Sequence, residues 1–375
     1  MLPVAALLFA FASMPGSHSP RRPATPLPPD RPLFVADMER LSAQRGFGSS
    51  SQETATPALD PATTRMYVGL SDGMVRCRFH GRNVWSYDSG GSVLAAPLVD
   101  GETLYVASAS GKLAALNRIT GEPRWILDVH EELTTTPTIG EGKVFVMSSD
   151  EAVTAVDVAS GKSLWKFRRE RPAGFTLRGN ARPQLAHGLL YTGFADGTVA
   201  ALEPATGVAR WLKQISGPGD YLDVDALSAP EDDKRVYAAS AKGGLVALDA
   251  QSGEEAFRVA LPGANQVVAS GARIFASGRG ELIGLDRASG EKLWVFKISG
   301  DQYATAAAVA RDVLVFAEQY GPLIALDTAT GRVRSVIDPG TGFAANGFSE
   351  APLVIPGAAF IISNTGTLFS LGLLP

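Results

Sequence analysis

Gly111 to Trp125 reads GKLAALNRITGEPRW, and its spacing recurs along the chain. Counting from the leading glycine, an aliphatic residue stands at +2 (Leu113), a small one at +4 (Ala115) and Leu116 at +5. Asn117 follows at +6, Thr120-Gly121 ends a turn, and Trp125 lies four beyond that glycine. The same order returns at Gly197–Trp211, at Gly243–Phe257 with phenylalanine in the tryptophan place, and at Gly280–Trp294. All five tryptophans, Trp85, Trp125, Trp165, Trp211 and Trp294, stand four residues after such a glycine. A pattern kept at a near-constant period marks a repeat architecture.

Each unit reads as four short strands. In the second unit Ala96–Val99 is the first, Leu104–Ala107 the second, Gly111 opens the third, and Pro123–Leu127 is the fourth. Turn dipeptides between short β-branched or aromatic runs argue for an all-β meander. The second strand carries an aromatic at a matching place: Tyr67, Tyr105, Phe145, Tyr191, Tyr237, Phe275 and Phe360. On the third strand the +2 and +4 residues face one way and the leucine at +5 the other. Both faces are apolar, so both must be covered, as in a propeller blade between two neighbours. A small +4 residue suits crowding near a central axis. The +4 residues, Cys77, Ala115, Ala155, Ala201, Ala247, Gly284, Ala325 and Ser370, number the units at eight.

The expected fold is therefore an all-β, eight-bladed β-propeller of four-stranded antiparallel blades, spanning residues 32–375. Its first unit is irregular, because Gly73 and Gly81 are closer together than their counterparts. Its eighth, Ala351–Leu373, ends after three strands. The open edge that this leaves predicts ring closure by an N-terminal strand within Pro32–Leu41.

Composition narrows the function. A net charge of −4 gives no electrostatic case for nucleic acid. One cysteine, Cys77, permits no internal disulfide, and the four histidines show no ligand spacing. No metal site is expected, and Cys77 reads as a small packing residue. At the N-terminus Leu2–Ala12 is an apolar run too short to span a bilayer but suited to a signal-peptide core. Residues 1–19 are expected to be an export signal, without a following cysteine for an acyl anchor. Residues 20–31 are expected to be a proline-rich tether.

The repeat resembles the quinoprotein-type (PQQ-like) β-propeller family over residues 32–375, where the tryptophans dock between blades. Two inter-blade connections are longer than the rest, and adjacent units place them side by side on one face: Arg168–Pro183, basic, and Ser216–Pro230, acidic. Within them Thr176-Leu177-Arg178-Gly179-Asn180-Ala181 and Asp223-Val224-Asp225 resemble the two binding loops of the BamB family. That resemblance implies a non-catalytic periplasmic scaffold without a cofactor, associated with the outer membrane through its partner. The implied partner is the POTRA region of BamA, touched by Phe175, Leu177, Arg178, Asp223 and Asp225. An alternative is that Arg178 and the aspartates pair with each other and stiffen that face. Departures from the family pattern are the absent lipobox cysteine, the irregular first blade and Asp220, where a basic residue is expected. A generic exported propeller with another partner is the second functional reading. A PQQ-dependent dehydrogenase is the third, disfavoured because such enzymes typically carry a vicinal cysteine pair.

Overall fold

The computed structural model describes residues 33–41, 55–170, 181–299, 302–319, 321–337, 347–355 and 357–373. They form eight four-stranded antiparallel sheets, and no helix is present among them. The expected signal segment 1–19 and tether 20–31 lie outside the described residues. Blades 1 to 7 span residues 58–88, 98–128, 138–168, 184–214, 224–259, 266–297 and 308–337, each in sequence order. Blade 8 joins three strands within 353–373 to the outer strand Leu33–Arg40, so the two ends of the propeller meet in one sheet. The first strands of neighbouring blades lie closest to one another, among them Val224–Ser228 with Gln266–Ser270 and Ala308–Ala310 with Leu353–Ile355, around the ring axis.

Apolar residues on both faces of the middle strands form clusters that straddle the seams. Tyr105, Leu113 and Ala115 of blade 2, for example, pack with Val144, Val146 and Val156 of blade 3. Each fully buried leucine or valine of this kind contributes about 1.5–3 kcal/mol.

The small +4 residue has a different reason from the one its spacing suggested. It sits on the third strand out from the axis, between the second-strand aromatic and the fourth-strand tryptophan: Tyr105 pairs with Ala115, and Ala115 with Trp125. The two rings meet over it, with centroids 5.8–6.4 Å apart in the six blades that carry both. A Cβ on Gly284 would come 2.2 Å from Trp294, so a larger residue here expels the ring.

The turn glycine explains the rest of the repeat. Gly121, Gly161, Gly207, Gly253, Gly290 and Gly331 have φ between +68° and +77°, and a Cβ on each would lie 2.5–2.6 Å from the preceding blade's aromatic ring. Glycine is required on both counts. Each tryptophan therefore lies flat on the next blade's turn. Its indole N–H donates to a turn carbonyl there, from Trp125 to Val158 at 2.8 Å and from Trp294 to Thr328 at 3.1 Å. The residue at +6 builds the turn: the Oδ1 of Asn117, Asp157, Asp249, Asp286 or Asp327 accepts backbone N–H groups two and three residues on. Such aspartate-capped turns are a local alternative to helix and sheet.

Blade 1 departs as its spacing implied. His80 (φ 48°) and Gly81 (φ 73°) are both left-handed and make a two-residue hairpin in place of the longer turn. At the seam where blade 8 meets blade 1, register places Asp37 opposite Ser370, the tryptophan position. Among the described residues, none beyond its chain neighbours comes within 4 Å of where a Cβ on Gly81 would be, and none lays a ring over that turn. An ion pair of Arg78 with Glu39 and a bond from Arg76 to the Leu41 carbonyl link the blades there instead. Cys77 is fully buried, and its thiol is pushed up to about 11, mainly by burial.

Candidate functional site

The five tryptophans stand at the seams, as described. Phe175, Leu177 and Arg178, and with them the proposed pairing of Arg178 with the aspartates, lie outside the described residues. Before that segment, Arg169 donates from Nε and Nη2 to Asp196 Oδ2 of blade 4 at 2.8 and 2.6 Å. After it, Ala181 is fully buried beside Val224. Both ends of the basic connection are thus anchored to blade 4 and to the strand that follows the acidic one.

The acidic connection is held from below. Ser216 Oγ donates to the Leu222 carbonyl at 2.8 Å and lies 2.7 Å from Ser240 Oγ, and Val224 N donates to Phe194 O at 3.1 Å. Tyr221 (φ 58°) stands at its apex, 46% exposed. Asp223 is fully buried, and so it can fix this connection but cannot itself meet a partner's surface in this conformation. Asp225 is half-buried in Val224–Ser228 at a β-bulge, between the pairs Val224–Ser240 and Ala226–Ala239. A bulge re-aims one side chain of a strand. Burial first, and then the Asp223 carboxylate, push the Asp225 carboxyl up to about 8, partly offset by the Ala241 backbone N–H.

Asp225 lines one end of a cavity of about 1040 Å³. The cavity lies where the connections and turns of blades 5 to 8 converge, beside the starts of the axial strands. Asn265, Gln266, Tyr303 and Gln319 line it as well, none of them singled out by the sequence. They fall in connections and turns that differ from unit to unit, so no repeated position points to them. Next to the lining residue Ser349, burial also pushes the Glu350 carboxyl up to about 8. Among the described residues, no group of three or more His, Cys, Asp or Glu is placed to hold a metal ion.

These two carboxyls make the stability of the fold depend on pH. Between about pH 4, where free carboxyls ionise, and about pH 8, the folded chain keeps protons at Asp225 and Glu350 that the unfolded chain has lost. Stability therefore falls as pH rises through that window. The turn aspartates Asp157, Asp249, Asp286 and Asp327 are held below the usual carboxylate range, and their contribution is lost only in acid. The melting temperature is expected to decline from pH 5 to pH 9, and Asp225→Asn with Glu350→Gln should flatten that decline. An equally steep decline in the double variant, read by calorimetry, would show that neither group carries it.

The family model described as outer membrane protein assembly factor BamB matches residues 71–227 and 223–370. The BamB assembly factor of Shewanella oneidensis is 26% identical over 293 residues, covering 76% of this chain and 73% of that protein. That of Bordetella pertussis is 30% identical over 196 residues, half of each chain. Among solved structures, BamB from Moraxella catarrhalis superposes with a TM-score of 0.78 at 22% identity, covering 91% of this chain and 99% of that one. The quinohemoprotein alcohol dehydrogenase of Comamonas testosteroni gives 0.70 at 15% identity, covering 91% of this chain and 76% of that one. At these identities the two structural likenesses speak for the fold alone.

Proposed function

The chain belongs to the family of the outer membrane protein assembly factor BamB, and from that membership we propose that it is a non-catalytic scaffold of β-barrel assembly in the outer membrane. In this reading it is periplasmic and grips the POTRA region of a BamA-like subunit, which holds it at the membrane. The observation that carries the proposal is the match of the family model across residues 71–370, which includes both long connections. The relatives are named as assembly factors, and the single cysteine precludes the vicinal pair typical of quinone dehydrogenases.

Phe175, Leu177 and Arg178 would supply the contact, an apolar pair beside a forked cation, which is a common hot-spot composition. Asp223, being buried, would set the shape of the neighbouring connection rather than touch the partner. The two roles separate experimentally. Arg178→Ala is expected to weaken capture by immobilised POTRA domains at least tenfold while leaving the melting temperature within about 1 °C. Asp223→Ala should lower both. If Arg178→Ala leaves capture intact, the interface reading fails, and a propeller serving another envelope partner takes its place.

A further inference from the structure

The cavity beside Asp225 is lined by polar groups that the fold does not use. The side chains of Gln266, Tyr303 and Gln319 make no hydrogen bond among the described residues. Asn265 spends only its carbonyl, accepting from Ser277 Oγ at 2.9 Å. All four are half-buried, and they come from the connection into blade 6, the connection into blade 7 and a turn of blade 7. A ligand site sets a few polar groups with spare hydrogen-bonding capacity in a concave wall, which is what these amides and the phenol offer.

The backbones beneath them are fixed. Asn265 N donates to Ser277 O at 3.0 Å, Gln266 pairs with Ser277 in the sheet, and Gln319 N donates to Tyr303 O at 2.8 Å. Groups mounted in this way lose little freedom when a ligand arrives. The volume of about 1040 Å³ stands at the upper end of ligand-pocket sizes.

The chemistry of the wall selects among ligands. Asp225 keeps its proton at neutral pH, so one charged acid, Asp220, stands with two bases, Lys242 and Arg279, and the wall carries little net charge to attract a polyanion or a polycation. A side-chain amide offers two donors and an acceptor, the complement of a peptide unit's own N–H and C=O. The ring of Tyr303 adds apolar wall for side chains. We propose that this mouth binds an extended, unfolded polypeptide segment through its main chain, with the amides of Gln266 and Gln319 pairing with its peptide groups. The inference rests on the assembly-factor reading for the kind of chain delivered, but its contacts do not involve residues 171–180.

Fluorescence anisotropy of the purified full chain with a fluorescein-labelled twelve-residue peptide of Ser, Thr, Val and Asn tests this directly. Saturable binding is expected. It should weaken about twenty-fivefold in Gln266→Ala/Gln319→Ala, at about fivefold for each lost hydrogen bond. Neither side chain bonds within the fold, so the variant should keep its melting temperature, and Gln319→Trp, which fills the space, should also abolish binding. Absence of saturable binding, or binding undiminished in the double variant, overturns the proposal. Binding of chitotriose in place of the peptide also overturns it and assigns the mouth to glycan. POTRA capture by Gln266→Ala/Gln319→Ala should stay intact, so failure here is distinguishable from failure of the scaffold reading.

Discussion

Removal of residues 1–41 is expected to lower the melting temperature by about 10 °C or more. The strand Leu33–Arg40 pairs with Thr367–Leu373 at seven positions, and its loss leaves the final strand as a raw edge. Leu41, only 5% exposed, leaves a cluster with Met66, Val68 and Phe360 that spans blades 8 and 1. The Arg78–Glu39 ion pair and the Arg76 bond to the Leu41 carbonyl go with it. Burial of one leucine is worth about 1.5–3 kcal/mol and each backbone hydrogen bond about 1 kcal/mol net. A loss of about 4 kcal/mol is therefore a low figure, and at about 2–4 °C per kcal/mol it gives the stated shift. Calorimetry of the truncated chain reads it directly, and a synthetic peptide of residues 30–42 added in trans should recover part of it. An unchanged melting temperature would refute closure by this strand.

Trp294→Ala should cost about 3–5 kcal/mol, the usual range for a buried tryptophan. Trp294 is 9% exposed, lies over Gly284 and against Phe275, and covers Gly331 of blade 7. Trp294→Phe keeps a ring and loses mainly the 3.1 Å bond to Thr328 O, for about 1 kcal/mol. Phe257 already occupies that role between blades 5 and 6, where its ring lies 2.6 Å from a Cβ built on Gly290. Urea titration of the two variants separates ring from hydrogen bond. A cost below about 1 kcal/mol for the alanine variant would show that the seam does not depend on the aromatic staple.

The architecture was legible because repeated packing demands repeated residues. Leucine at +5, the turn glycine and the tryptophan four residues later each answer one steric condition, and that condition recurs at most seams. The closing strand was legible from what the eighth unit lacked. Asp37 in the tryptophan position was not, because a β-bulge between Val35 and Asp37 sets its register, and bulges leave no periodic trace. The burial of Asp223 was hidden for a related reason. Spacing places it on a long connection, but the bonds that draw that connection inward join Ser216 and Leu222 to Ser240, at the end of the second strand of blade 5. Gln266 and Gln319 are farther from sequence reading still. They meet only because the ring brings successive blades round one axis.

The pairing of the first strand with the last also fixes a timetable. Synthesis runs from the N-terminus at about 5–20 residues per second, so Leu33–Arg40 exists for on the order of tens of seconds before Thr367–Leu373 is made. Every other blade draws its four strands from neighbouring sequence, while this segment has no sheet to join until the last strands are in place. It carries Leu33, Phe34, Val35 and Met38 through the wait. Charges within an apolar strand, here Asp37, Glu39 and Arg40, disfavour pairing with its own kind. The aspartate that takes the tryptophan position at this seam thus also suits a strand that must wait for its partner.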